Sequence, residues 1–108
     1  MIKRTVDTTG TGWWVGPWNS AVPIAAGYAD IGVNEPHTHY RMHEIYLVPE
    51  EQAGRSLVTK RSSLGVGDVL VVEPGETHTF LDSSTDYLHF VVQTPFVPGD
   101  KVVEPTFD

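Results

Sequence analysis

The chain's 108 residues, 40% of them hydrophobic, make one small domain over residues 1–108 with enough apolar mass for its own core. The absence of cysteine excludes disulfides, thiolate nucleophiles and zinc fingers, leaving five histidines and fourteen carboxylates as the metal-capable groups. A formal charge of −7 with no basic cluster argues against nucleic acid and against a membrane surface as partners.

No apolar run approaches the roughly 18 residues of a spanning helix. Thr5-Val6-Asp7-Thr8-Thr9-Gly10 stands where a signal peptide needs apolar residues, so a cytoplasmic location is expected.

In chain order, residues 1–20 hold all three tryptophans (Trp13, Trp14, Trp18) among glycines and show neither helix nor strand period. An irregular N-terminal arm over the sheet is predicted there. Val22 to Ala29 reads as a strand closed by Asp30-Ile31-Gly32, and Glu44 to Val48 as one ended by Pro49. Ser56 to Lys60 follows, then a connection over Ser62 to Gly67. Asp68 to Val72 runs into the Pro74-Gly75 turn and Thr77 to Leu81 runs out of it. A polar turn at Asp82-Ser83-Ser84-Thr85 precedes the run Tyr87 to Gln93, and residues 95–108 read as an extended tail. Short strands at this spacing, without any amphipathic helix, predict an all-β sandwich or barrel. Val69-Leu70-Val71-Val72 and Phe90-Val91-Val92 are apolar at every position, which fits strands covered on both faces, one of them by a second subunit of a homodimer.

Three histidines fall within seven residues: His37, His39 and His43. On a strand, His37 and His39 share a face at a spacing that lets both imidazoles reach one ion. Pro36 holds Glu35 out of the helical region and supports the extended reading. Strict alternation would add His43. A turn at Tyr40-Arg41-Met42 would shift the phase and bring in Glu44 with Tyr46, and the pattern leaves both open.

Gly32-Val33-Asn34-Glu35-Pro36-His37-Thr38-His39-Tyr40-Arg41-Met42-His43-Glu44 resembles the first motif of the cupin superfamily. Gly67 through Pro74-Gly75-Glu76-Thr77-His78 resembles the second. The spacings depart in places: Gly32 lies one residue close to His37, and Gly54 lies late after Glu44, which a longer hairpin over residues 49–53 would explain. Glu73 and Asp82 stand where proline and asparagine are usual. The resemblance implies a double-stranded β-helix, or jelly-roll barrel, and a metal held by His37, His39, Glu44 and His78. It also supports the homodimer.

Three imidazoles and a carboxylate suit one divalent transition metal: Fe, Mn, Zn, Ni or Cu. By alternation Tyr46 lies beside Glu44 and Phe80 beside His78, so both are expected to line a small-molecule cavity. Arg41 is a candidate for orienting an acidic substrate. His43 is expected to face outward, and His89 to be a satisfied strand histidine. Tyr46 is the only proton-transfer group near the predicted ligands, and an unperturbed phenol is a poor base at neutral pH. That scarcity tilts the reading towards chemistry carried by metal and substrate, as in a dioxygenase, with Lewis-acid isomerase or lyase chemistry on a small oxygenated metabolite as the other enzymatic reading. The alternative is a non-catalytic small-molecule or sugar-binding cupin anchored by its metal.

Overall fold

The computed structural model describes residues 1, 3–49, 54–59 and 62–105. Eleven strands form among them: β1 (Thr11–Val15), β2 (Ala25–Ala29), β3 (His37–His39), β4 (His43–Leu47), β5 (Ser56–Thr59), β6 (Ser62–Leu64), β7 (Val69–Val72), β8 (Thr77–His78), β9 (Asp82–Ser83), β10 (His89–Thr94) and β11 (Lys101–Val103). No helix is present among the described residues, and none is long and apolar enough to cross a membrane.

One wall is a five-stranded sheet in the order β1-β2-β10-β4-β7. Two three-stranded sheets, β11-β3-β8 and β6-β5-β9, face it. The first meets the wall through the histidines, which reach Glu44 on β4. The second meets it through the core, where Tyr46, Val72 and Val91 pack with Val48, Leu64, Phe80 and Tyr87. β4 and β10 send alternate side chains inward, and the two ends of the interior differ in chemistry. One end is apolar and closed, the other polar and partly open.

Three segments differ from the sequence expectation. The irregular arm predicted for residues 1–20 contains β1, which pairs antiparallel with β2 from Thr11↔Ala29 to Val15↔Ala26. A bulge between Trp13 and Val15 breaks the alternation, so the segment shows no strand period although it is in the sheet. The expected connection at Ser62 contains β6, and the expected turn at Asp82 contains β9; both pair with β5. Their serine-rich sequences lack the β-branched signal of a strand. The longer hairpin expected over residues 49–53 lies largely outside the described residues, as does Lys60. The tail is extended where it pairs, with β11 adding to β3.

The outer face of the wall is open in the single chain: Val69 and Val71 are 59% and 52% exposed. Within the single chain the continuous apolar pattern of β7 has one covered face.

Two glycines have clear mechanical reasons. A Cβ on Gly32 would stand 2.3 Å from the Phe80 side chain, so the first motif's glycine lets that ring pack against the chain. Gly75 sits at φ +88, the left-handed conformation that the Pro74-Gly75 turn requires before β8.

Candidate metal centre and its cavity

His37 and His39 project from the same face of β3, with ring centroids 5.1 Å apart. Thr38 between them turns the other way and joins its hydroxyl to that of Thr77 on β8 at 2.7 Å. β8 pairs antiparallel with β3, placing His78 directly across from His37. The two rings lie 4.1 Å apart.

The phase question is settled by Asp100. Its carboxylate accepts the backbone N–H groups of Tyr40, Arg41 and Met42, at 3.2, 2.9 and 2.9 Å. Burial opposes its ionisation, but those three donors outweigh burial and hold its pKa below the usual value. The bend it stabilises moves the chain from β3 into the opposite wall. There Glu44 and Tyr46 point inward and His43 is exposed.

His37, His39, Glu44 and His78 are all buried, with one candidate ligand atom from each lying within 4.8 Å of all the others. Glu44 Oε1 is the meeting point, 3.1 Å from His39 Nε2 and 2.9 Å from His78 Nε2. Tyr46 donates its hydroxyl to the same oxygen at 2.9 Å, and Gln93 Nε2 donates to Oε2 at 2.8 Å.

Two neighbouring donors, each about 2.1 Å from a shared ion and at right angles, are roughly 3.0 Å apart, so the spacing fits a transition metal. The outer contacts fit as well. His37 Nδ1 donates to the Glu35 carbonyl at 2.8 Å and His39 Nδ1 to the Asp100 carbonyl at 3.2 Å. A carbonyl can only accept, so both rings carry their proton on Nδ1 and direct Nε2 to the centre. His78 Nδ1 is buried without a partner, so that ring is held by packing against His37 and Tyr46.

Burial alone would raise the Glu44 pKa, but hydrogen bonds from His39, His78 and Gln93 hold the carboxyl far below its ordinary range. Burial also opposes a charged His39, yet Glu44 and the Asp100 carbonyl outweigh it and raise that imidazole. Burial lowers His37 despite its bond to Glu35. For Tyr46, burial and then the Glu44 charge push the phenol well above its usual value. It is a phenol, not a phenolate, at neutral pH.

The cluster borders a cavity of about 280 Å³. Tyr46 and Phe80 line it, as the alternation suggests. Arg41 is exposed and does not line it; what the bend uses is its backbone N–H, and its side chain has no place in the cavity.

The lining also includes residues that were not site candidates in the sequence, among them Trp13, His89, Gln93 and Lys101. His89, Val91 and Gln93 share the inner face of β10. That run is apolar at neighbouring positions, so its pattern did not show which face is inside. Lys101 pairs with Glu35 at 2.6 Å, an exposed contact worth little in stability.

No family model and no curated protein matches the sequence. Solved structures do match. Pac13, described as a nucleoside dehydratase and solved from Streptomyces, superposes with a TM-score of 0.66 at 16% identity, covering 100% of this chain and 94% of that one. A cupin 2 conserved barrel protein from Salinispora arenicola gives 0.55 at 12%, covering 84% and 80%. DMSP lyase DddQ from Ruegeria pomeroyi gives 0.54 at 18%, covering 85% of this chain and 60% of that one. The fold is therefore the double-stranded β-helix of the cupins. In this chain it carries a buried three-histidine, one-glutamate cluster that could hold a metal ion.

Proposed function

We propose that the protein is a metal-dependent enzyme that carries out Lewis-acid lyase or dehydratase chemistry on a small oxygenated metabolite. The observation that carries this reading is the convergence of His39, His78 and Tyr46 on one oxygen of Glu44 beside the cavity. A divalent cation held by His37, His39, Glu44 and His78 would supply Lewis acidity toward a substrate oxygen.

The chain's own groups do the rest. Gln93 fixes the carboxylate plane through Oε2. Phe80 and Val91, both buried, exclude water from the inner part of the cavity and select a compact substrate. Tyr46 holds a proton at Oη, shared with Glu44 Oε1 and 3.3 Å from His78 Nε2. Elimination is favoured over oxygen chemistry because both neighbours with a stated activity, a nucleoside dehydratase and a DMSP lyase, are described by bond-eliminating reactions. The cavity also holds more polar groups than the sequence suggested, which weakens the argument for a dioxygenase.

The test is to incubate the chain, loaded in turn with Fe(II), Mn, Ni and Zn, with a panel of β-hydroxy carbonyl compounds. Ultraviolet absorption of an unsaturated product is followed beside oxygen consumption. Product without oxygen uptake is the expected outcome. Oxygen uptake would move the assignment to a dioxygenase. Ligand binding without conversion under every metal would move it to a binding protein.

A further inference from the structure

His89 lies four residues from Gln93 on the inner face of β10, roughly 13 Å along the strand. It lines the same cavity as His37, His39 and Glu44, and its hydrogen bond and ring contacts among the described residues go elsewhere. Its ring packs against Tyr46, Phe80 and Tyr87, with centroids 4.9, 5.1 and 5.3 Å away. The Tyr87 hydroxyl meets His89 Nδ1 at 2.6 Å.

That contact determines the tautomer. Tyr87 is 2% exposed, and His89 Nδ1 is the one partner the structure gives its hydroxyl among the described residues. Burial raises the Tyr87 phenol, which keeps its proton. A buried O–H with one partner donates to it, so Nδ1 accepts and the neutral ring carries its proton on Nε2. Burial also lowers His89 to about 4, against a weaker opposing pull from Glu44, so the ring is neutral at pH 7. Among the described residues Nε2 has no hydrogen-bond partner. It is also not sealed off, because His78 Nδ1 alone is both buried and unpartnered among the described side-chain atoms. His89 lines the cavity, and with Nδ1 taken by Tyr87 its Nε2 is the ring nitrogen left for a ligand there.

The geometry points to His89 as the specificity-determining donor of the cavity, its Nε2–H fixed by Tyr87 and offered to a carbonyl or hydroxyl oxygen of the ligand at the end away from the metal cluster. The inference rests on the proposed use of the cavity and adds a substrate class. The ligand carries two separated oxygen functions, one at the Glu44 cluster and one at His89, on a frame small enough for about 280 Å³. A purely hydrocarbon end would strand the Nε2–H without a partner.

Two measurements on the purified full chain test it, whether or not the chain holds metal. A two-bond proton–nitrogen correlation spectrum reads the tautomer of His89. The protonated nitrogen is expected to be Nε2 in the wild type and to become a mixture of Nε2 and Nδ1 in Tyr87→Phe. Binding is then compared between cyclopentanone and methylenecyclopentane, which differ by an oxygen for a methylene. The ratio of ketone to alkene affinity is expected to be roughly threefold to tenfold higher in the wild type than in His89→Phe, where the carbonyl is desolvated without a donor. A proton on Nδ1 in the wild type, or the same ratio in the two chains, would overturn the assignment. Loss of metal from the cluster would leave both readings unchanged, so the two proposals fail separately.

Discussion

Gln93 on β10 donates its amide N–H to Glu44 on β4 at 2.8 Å, joining register partners of the five-stranded wall. Because Oε1 is engaged by His39, His78 and Tyr46, Gln93 decides where the other oxygen points. Gln93→Leu is therefore expected to lower metal affinity about 10- to 100-fold, the usual effect of losing an outer hydrogen bond to a ligand. Titration with zinc against a chelator measures it, and unchanged affinity would remove Gln93 from the centre.

His78→Ala removes one of the four converging donors. Elemental analysis of the purified variant is expected to show metal content well below that of the wild type. Equal content in the two would rule out a four-residue site.

Asp100 predicts a structural effect. Asp100→Ala leaves the N–H groups of Tyr40, Arg41 and Met42 without their acceptor and is expected to destabilise the fold by about 2–4 kcal/mol. Asp100→Asn keeps one acceptor oxygen and should lose less. Urea denaturation of the three chains reads the order directly.

His89 gives a pH dependence. Its pKa is about 4 in the fold and near 6.5 when unfolded, so between these values the unfolded chain binds the extra proton. Stability from this group is fully present above pH 6.5 and is lost as pH falls toward 4, by about 3 kcal/mol in all. In His89→Phe the slope of unfolding free energy against pH should flatten by about one proton over that window. A slope equal to the wild type would show that the ring is not held neutral.

The strand rhythm, the Pro74-Gly75 turn and the spacing of His37, His39 and His78 were legible because each follows from local chemistry. A period of two places side chains on a face, and a glycine at positive φ makes the turn. Glu44 was ambiguous against His43 because the bend that chooses between them depends on Asp100, 56 or more residues further on. β1 was missed because its bulge hides the period. Gln93 was missed, and His89 was read only as a satisfied strand histidine, because a strand with apolar residues on both faces does not declare its interior. Arg41 looked like a cavity residue from its nearness in sequence to the histidines, and the same bend carries it to the surface.

The carbonyl that orients His39 belongs to Asp100, and the strand that flanks β3 is residues 101–103. The imidazole pair is therefore translated early and aligned late. Until Asp100 and the residues after it are synthesised, His37 and His39 lack both their neighbouring strand and the bend that delivers Glu44. Any ion taken up by the cluster would therefore be captured late, once the segment that begins at Asp100 is made, by a finished barrel and not by a growing polypeptide.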